Sequence, residues 1–549
     1  MSIGIPRAFV LALGALALTM GLGSCGKAAD GGPDALFDSN TNWLSRCSDD
    51  VQCNGSLRCY CGMCTKPCGQ DTECNLLGGA QCAQSGEEVC GTRASAGGLC
   101  VLECTASDDC GYGFDCNAGQ CVPRPCETVG ALTWDQVFQD INADLAGIGA
   151  EDRPYQRYIA LGNGSGDDPR GAGCGVSTDV KRDAVTKLLN ALSIQAQPQQ
   201  PEWVDAGQRV LRIDLRDFSW DRQITVGGAY SDEWEALVAK DPYALSFAGA
   251  DADDAMVDTG TSVPVMLADS FVAITTQPDV YYGLLDIPEQ LDQYLVKELG
   301  IDPAKPAAKA GFTADGKRFL AQYWATQTRD GYVWEIAELG REPEALLQTP
   351  LAEPLGQREI IFTLPNGVNA FAFMSSDGRR LDNWNVTFDS AERDNVARAP
   401  RSSWRRHPRE VTVRDEVLDY ATANPGLYSQ ADLAEIQRLF LGPVRLQSLL
   451  ERDYSKYQAV ALLRAFVTSD DPEPVTTSYA EYAGPVTLEV AAAELMLKPD
   501  ELRDNLALLN PALGALDGGS VSRELFTALF HDSACVLDVI LENQPADCP

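Results

Sequence analysis

The chain holds nineteen cysteines, and fifteen of them crowd between Cys47 and Cys126. Large apolar residues are sparse over that stretch, so it has too little to bury to fold around a core. Cross-links worth about 2–5 kcal/mol each must take the core's place. One spacing recurs. Five residues separate Cys47 from Cys53 and Cys53 from Cys59, and the same gap recurs through Cys104, Cys110 and Cys116, while Cys68, Cys74 and Cys82 relax the second gap to seven. Short polar loops stapled at both ends would produce this pattern. Cys61, Cys64, Cys90, Cys100, Cys121 and Cys126 complete the cluster. Setting Cys25 aside leaves eighteen cysteines, an even number that suits complete pairing in an oxidising compartment. Fifteen is odd, so Cys174 is expected to join the cluster, leaving Cys535 and Cys548 to close the C-terminal end. The competing reading is a metal site, since Cys61-Gly-Met-Cys64 has the spacing of a zinc or redox pair and Cys59 stands close by. A second matching pair is lacking, so disulfides rather than a metal are expected.

Residues 1–24 have the layout of a signal peptide: an early positive charge at Arg7, an apolar run from Ala8 to Leu22, and small residues before Cys25. Gly14, Gly21 and Gly23 interrupt the run, which falls short of the roughly 20 residues that cross a bilayer. The ending Leu22-Gly-Ser-Cys25 resembles a bacterial lipoprotein signal, which implies that Cys25 carries lipid on its thiol and becomes the new N-terminus. The alternative is an ordinary secretory peptide with Cys25 as one more disulfide partner. Gly26 stands where an acidic residue would retain some lipoproteins in the inner membrane, so an outer-membrane anchor is expected. The membrane is then a partner through the lipid alone.

A formal charge of −36 repels phosphate backbones and anionic bilayers, which excludes nucleic acid as a partner. With 45% hydrophobic residues over 549 positions there is material for more than one core. The expected order is a signal peptide over 1–24, the lipidated cysteine and a Gly/Asp/Asn-rich linker over 25–46, the cysteine-rich module over 47–126, an α+β domain over 127–390, and a mostly helical part over 391–549.

Leu211, Ile213 and Leu215 alternate with Arg212, Asp214 and Arg216, the period of a strand with one buried face. Glu359 to Leu364 runs into Pro365-Asn366-Gly367, and Val368 to Met374 runs into Asp377-Gly378, which reads as a β-meander. A helix is expected over 183–192, with Val185, Leu188, Leu189 and Leu192 on one face. Another should open at Pro288 and close at Gly300, with a stripe of Leu291, Tyr294, Leu295 and Leu299. Strand signals fade after about residue 410. Ser429 and Asp432 form a capping box ahead of Leu433, Ile436, Leu439 and Phe440, and further helices are expected over 445–467, 487–496, 500–509 and 521–530. These stripes read as core.

Three segments, RVLRIDLRDFSWD over 209–221, EIIFTLPNGVNAFAFMSSDGRRLD over 359–382 and VTLEVAAAELML over 486–497, resemble an uncharacterised bacterial family of extracytoplasmic proteins with a c-type-cytochrome-like region. The likeness spans roughly residues 155–530, and the texture of 47–126 resembles the cysteine-rich module of Dickkopf-type proteins. The family resemblance implies a haem-attachment C-x-x-C-H about twenty residues after the meander. This chain has RAPRSSWRRHPRE over 398–410, with Ser403 and Arg406 where the two cysteines would stand and His407 remaining. Covalent attachment needs two thiols, which serine and arginine cannot replace, and the one C-x-x-C elsewhere is followed by Thr65. A vestigial haem site without cofactor is therefore expected; a noncovalent haem on His407 is the alternative. Arg398, Arg401, Arg405, Arg406 and Arg409 concentrate positive charge there. Pairing with the chain's own carboxylates is expected, and a docking patch for an anionic group is the competing role.

Histidine-based catalysis has only His407 and His531 to draw on, and H-E-x-x-H is absent. Gly162-Asn-Gly-Ser-Gly166 lacks the Walker lysine and reads as a surface loop. Asp251, Asp253, Asp254 and Asp258 could hold calcium, but Met256 occupies the position where an EF-hand needs glycine, and a solvated loop is expected. Paired carboxylates for hydrolysis cannot be recognised from spacing along a chain. The combined expectation is a non-catalytic, lipid-anchored binding or scaffolding protein with a protein partner. Haem electron transfer and a carboxylate hydrolase are the alternatives.

Overall fold

The computed structural model describes residues 132–162, 178–205, 207–222, 224–226, 229–244, 250–314, 317–326, 331–339, 345–351, 356–385, 396–406, 415–461 and 473–537, with short pieces between 58 and 123. Those pieces are short antiparallel strands. Residues 58–60 pair with 63–65, 114–117 pair with 120–123, and 98–101 lie between 67–68 and 81–83. Disulfides Cys68–Cys82 and Cys74–Cys100 staple them, and these four buried cysteines form a small cluster of their own. Cys68, Cys74 and Cys82 are therefore not a self-contained loop: the outer two join and the middle one reaches Cys100. Their sulfurs lie within 4.8 Å of one another, but each is consumed by a disulfide and none is left as a thiolate for a metal.

The body is α+β, as its mixed periodicities predict. Helix α1 (Trp134–Ala146), strand β1 (Gln156–Ala160), helix α2 (Thr178–Ala191), strands β2 (Glu202–Trp203) and β3 (Val210–Asp214), helices α3 (Glu233–Val238) and α4 (Ala250–Thr259), strand β4 (Val265–Leu267) and helix α5 (Ala268–Thr275) come first. The four strands form a sheet in the order β2-β3-β1-β4, antiparallel except for the pair β1–β4. Side chains alternate across a sheet, and here the alternation divides two cores. Ile159, Leu161, Leu211, Ile213 and Met266 belong to one, and Tyr158, Ala160, Val210, Val265 and Leu267 to the other. The charged members of β3 are held by ion pairs where a wet face was expected. Arg212 Nη1 lies 2.8 Å from Asp144, and Arg216 bridges Asp214 at 2.6 Å and Asp152 at 2.8 Å.

Helices α6 (Pro278–Leu284) and α7 (Leu291–Lys297) lead into strands β5 (Ala308–Ala314), β6 (Lys317–Ala325) and β7 (Tyr332–Glu338), helix α8 (Ala345–Gln348), and strands β8 (Arg358–Thr363), β9 (Asn369–Met374) and β10 (Arg380–Leu381). The six strands make an antiparallel meander in chain order. Gly367 and Gly378 hold its two predicted turns at φ 90° and 87°, which side chains disfavour. The Tyr281 and Tyr282 hydroxyls accept the Phe371 and Phe373 N–H groups at 3.0 and 3.3 Å, blunting the strand edge. Helix α7 starts three residues later than Pro288 suggested. The chain before it is spent on the meander: Glu289 O accepts the Arg380 N–H at 2.8 Å and Gln290 bridges Arg379.

Helices α9 (Arg401–Arg406), α10 (Glu416–Ala423), α11 (Gln430–Leu439), α12 (Pro443–Ala461), α13 (Pro474–Tyr482), α14 (Leu488–Glu494), α15 (Pro499–Asn505) and α16 (Arg523–Val536) complete the body. Ser429 caps α11 by accepting the Asp432 N–H, as the capping box predicts. One short strand pair, 486–487 with 520–521, lies where none was expected. Trp404, Leu441 and Val475 join the first core, and Val486 to Ala534 supply much of the second. Residue 390 is thus not a break between cores, and a strand pair, 383–385 with 396–398, spans it. The acidic run is helix α4 rather than a loop, because Ala252, Ala255 and Thr259 pack inward while Asp251, Asp253 and Asp254 face water. A third cluster forms where α8 and α10 cover β5. Gly311 permits that approach, since a Cβ there would overlap Val417 and Leu346.

Helix α2 was expected to bury one stripe, but it lies among α5, α13 and the first sheet's core and is buried on every side from Asp183 to Ala191. Two lysines go inside with it. Lys181 Nζ donates to Asp269 Oδ2 at 2.6 Å, and Lys187 Nζ lies 3.1 Å from Glu473 Oε1. Burial works against the Lys181 ammonium, but Asp269 and Glu481 outweigh it and hold its pKa above the ordinary lysine value.

Lys181→Met or Asp269→Leu alone is expected to cost about 3–5 kcal/mol in urea unfolding, because each strands a buried charge, and the double variant to recover most of that loss. Gly311→Ala is expected to cost about 1–3 kcal/mol by overpacking, read in the same unfolding experiment.

Candidate binding site

Helix α9 carries the start of the arginine-rich segment, with Ser403 and Arg406. Ser403 is fully buried, and its hydroxyl donates to Glu359 Oε1 at 2.5 Å. Trp404 stands edge-on to Tyr281 and Phe371, and the Arg401 guanidinium lies 3.6 Å from the Tyr479 ring centroid. Ser402 Oγ accepts the Arg398 N–H at 3.0 Å. The first turn of α9 is therefore core. A serine sealed against a carboxylate offers a porphyrin neither a thiol nor an open face. Arg401 is buried, which corrects its place in an exposed anion-docking patch: its cation is spent on an aromatic ring. Of Arg405 and Arg406 only the backbone is described, and His407 and Arg409 lie outside the described residues.

The other nominated residues scatter. Cys535 is disulfide-bonded, and Cys548, its expected partner, lies outside the described residues with Cys25, Cys47, Cys53, Cys61, Cys90, Cys104, Cys110, Cys126 and Cys174. Cys59 stands opposite Cys64 and Cys116 opposite Cys121 in their strand pairs, with only their backbones described. His531 is exposed on α16, its Nε2 3.1 Å from the Pro242 carbonyl. Beyond Gly162, the glycine-rich stretch through Gly166 is also outside the described residues.

A groove of about 610 Å³, which no motif announced, opens where the loop after α2, the α6–α7 corner and the turn end of the meander meet. Leu285, Phe362 and Leu364, all buried, make its floor, with half-buried Ile194 and Leu299 beside them. The stripe on α7 divides here. Leu291 and Leu295 enter the core, while Tyr294 and Leu299 line the groove, with Tyr294 edge-on to Phe362 at 5.9 Å between centroids. Burial first, then Glu298 and Asp286, push the Tyr294 phenol up to about 12, and among the described residues no group hydrogen-bonds its hydroxyl.

The rim is fixed by Arg222. Asp286 sits at φ 52°, a left-handed conformation that costs a non-glycine residue energy and survives where its surroundings hold it. Arg222 pairs with the Asp286 carboxylate, donates to Leu284 O at 2.9 Å and to Ser219 O at 2.7 Å, and keeps its Nε 2.9 Å from Glu233 Oε1. Burial pushes Glu233 up to about 7 despite Arg222. Burial likewise pushes Asp415, the cap of α10, up to about 7 against the N–H donors of Gly311, Val417 and Leu418. Neither acid lines the groove.

Comparison of the chain with family models, with curated proteins and with solved structures finds no match.

Because both acids have folded pKa values raised from ordinary ones of 3.8 and 4.5, their contribution to stability is complete below about pH 4 and lost as pH rises through 7. The urea midpoint is expected to fall between about pH 4 and 7 and to level off above. Asp415→Asn, which keeps an oxygen for the cap, should flatten part of that fall. An unchanged slope in the variant would remove Asp415 as a cause.

Proposed function

We propose that the chain is a lipid-anchored, extracytoplasmic binding protein, tethered through Cys25 to the bacterial outer membrane, with its disulfide-stapled module ahead of an α+β body that takes a ligand in the groove. The observation that carries this reading is the groove. Its volume of about 610 Å³ lies within the range of about 300–1,000 Å³ that small-molecule sites occupy, and it combines an apolar floor with a few fixed polar groups. The Arg222 contacts support a rim shaped in advance, which lowers the ordering cost of binding.

A carboxylate hydrolase is the weaker reading. Asp286 is committed to Arg222, and the acids pushed toward neutrality, Glu233 and Asp415, lie away from the groove. For the segment that resembles a haem-attachment region we infer a scaffold kept without its cofactor: Ser403 donates to Glu359 where a thiol would be needed, and no electron-transfer step is derived. The charge of −36 supports a partner other than nucleic acid.

Expression in a bacterial host with lipoprotein processing and cytochrome-maturation machinery tests the whole assignment. Membrane-fraction protein labelled by radioactive palmitate is expected, with the label lost in Cys25→Ala and no Soret band in the purified chain. A covalently bound porphyrin, or an unlabelled wild-type chain, would overturn it.

A further inference from the structure

One arginine serves two acids in unlike surroundings. Arg222 donates through Nη1 to the carboxylate of Asp286, which is 67% exposed, and keeps its Nε 2.9 Å from Glu233, which is 4% exposed. That Nε–H already donates to Ser219 O at 2.7 Å, and Nη2 donates to Leu284 O at 2.9 Å. Apart from Glu233's own N–H, Arg222 is the one donor near the buried carboxylate among the described residues. The charged groups that face Glu233 are Arg222, Asp232 at the cap of α3, and Asp286 across the α6–α7 corner. Asp232 is itself paired with Arg157 at 3.0 Å. Glu233 cannot reach water by moving its helix, because Trp234 beside it is buried and donates through Nε1 to Val263 O at 2.8 Å.

The charge on Glu233 decides which acid holds the arginine. A neutral Glu233 makes no demand on Arg222, and the guanidinium stays on Asp286 and Leu284 O, as in this structure. An ionised Glu233 is a buried charge short of donors, which is costly, whereas the exposed Asp286 loses little by exchanging Arg222 for water. Arg222 then turns its Nη groups to Glu233, and Asp286, no longer held at φ 52°, relaxes. We propose that Arg222, Glu233 and Asp286 form a proton-operated latch on the groove: with Glu233 protonated the α6–α7 corner is clamped, and with Glu233 ionised Arg222 leaves Asp286 and the corner opens. Burial sets the change of charge near neutrality, since it pushes Glu233 up to about 7. Leu285 and Asp286 line the groove, so the meaning of the latch for a ligand rests on the binding reading above, while the latch itself is a property of the free chain.

Hydrogen exchange of the full chain in detergent, without ligand and followed by mass spectrometry, tests this. The Leu285, Asp286 and Ile287 N–H groups donate to the Tyr281, Gly283 and Tyr282 carbonyls at 3.3, 3.1 and 2.9 Å, and an open corner exposes them. Opening lets Glu233 ionise near its ordinary 4.5 in place of about 7. Protection of peptides covering 283–288, corrected for intrinsic exchange, is therefore expected to fall about tenfold per pH unit between those two values and to level off above. Glu233→Gln should abolish the slope. Asp286→Asn, which removes the competing charge, should lower corner protection several-fold at pH 5 while leaving the amides of β8 as they were. In the wild-type chain the corner should exchange faster than β8 at every pH. A slope that survives Glu233→Gln, or a corner that exchanges only as fast as β8 so that its opening is global, would overturn the latch. Either result leaves the groove as a binding site untouched, because no ligand enters the measurement.

Discussion

A helix without a wet face has two lysines in it, and much of the body is arranged to neutralise them. Desolvating an ammonium costs several kcal/mol, and that cost is offset only by a close partner. Lys181 reaches Asp269 in the first turn of α5, and Lys187 reaches Glu473 at the start of α13. Glu473 is doubly committed, since it also accepts the Val475 and Thr476 N–H groups that begin α13. Sliding either neighbour along α2 by one turn would break an ion pair. Packing alone would tolerate such a shift more easily, because apolar contacts are not directional. The second core repeats the device: Arg523 on α16 holds Glu494 on α14 at 2.6 Å, with the Tyr243 hydroxyl bonded to both. Register in both cores is set by buried charge, and apolar area supplies the bulk of the stability.

The same helix places the groove. At its C-terminal end Asn190 exchanges two hydrogen bonds with Gln199, and its carbonyl accepts from Asn366 in the β8–β9 turn at 2.7 Å. The meander turn is thereby tied to the end of α2, and Leu364 and Ile194 are brought to one concavity. Arg222 brings the third wall from the α6–α7 corner. A groove built at a junction of three separately anchored elements keeps its shape with its apolar floor uncovered, whereas a gap within a single core would collapse or be filled by neighbouring side chains.

Local signals in the sequence mark local structure. Pro365-Asn366-Gly367 and Asp377-Gly378 fall on the meander turns because their glycines must reach positive φ. Ser429 caps α11 because a hydroxyl three residues from a free N–H needs no tertiary help. Asp315-Gly316 and Asp330-Gly331 carry the same signal between strands β5, β6 and β7, so this half of the meander is as legible as the other. The remaining failures share one cause, which is that the deciding partner is distant in the chain. Residues 288–290 read as helix from Pro288 but are captured by Arg379 and Arg380. The aspartates of α4 look like loop until α1 is packed against their alanines. Arg401 was expected to pair with a carboxylate or to dock an anion, and its packing on Tyr479, far along the chain, is not written in its neighbours. The groove is the extreme case. Its walls come from four stretches between residues 194 and 365, and no local signal in any of them announces a groove.

A chain with 79 acidic and 43 basic residues has carboxylates to spare and few cations, and the way the cations are spent shapes its chemistry. Arg157, Lys181, Lys187, Arg401 and Arg523 are buried, and Arg212, Arg216 and Arg222 pin strands and corners to neighbouring acids. Exposed carboxylates need no partner, because water solvates them. Lys181, Lys187 and Arg523 each take a carboxylate inward with them, so the surface keeps the chain's excess of acid. Among the described residues the groove carries two acids, Asp286 and Glu298, and its low-dielectric floor strengthens whatever field they supply. At the groove Arg222 is spent on the Asp286 corner, and among the described lining residues Glu298 is the acid left without an ion pair.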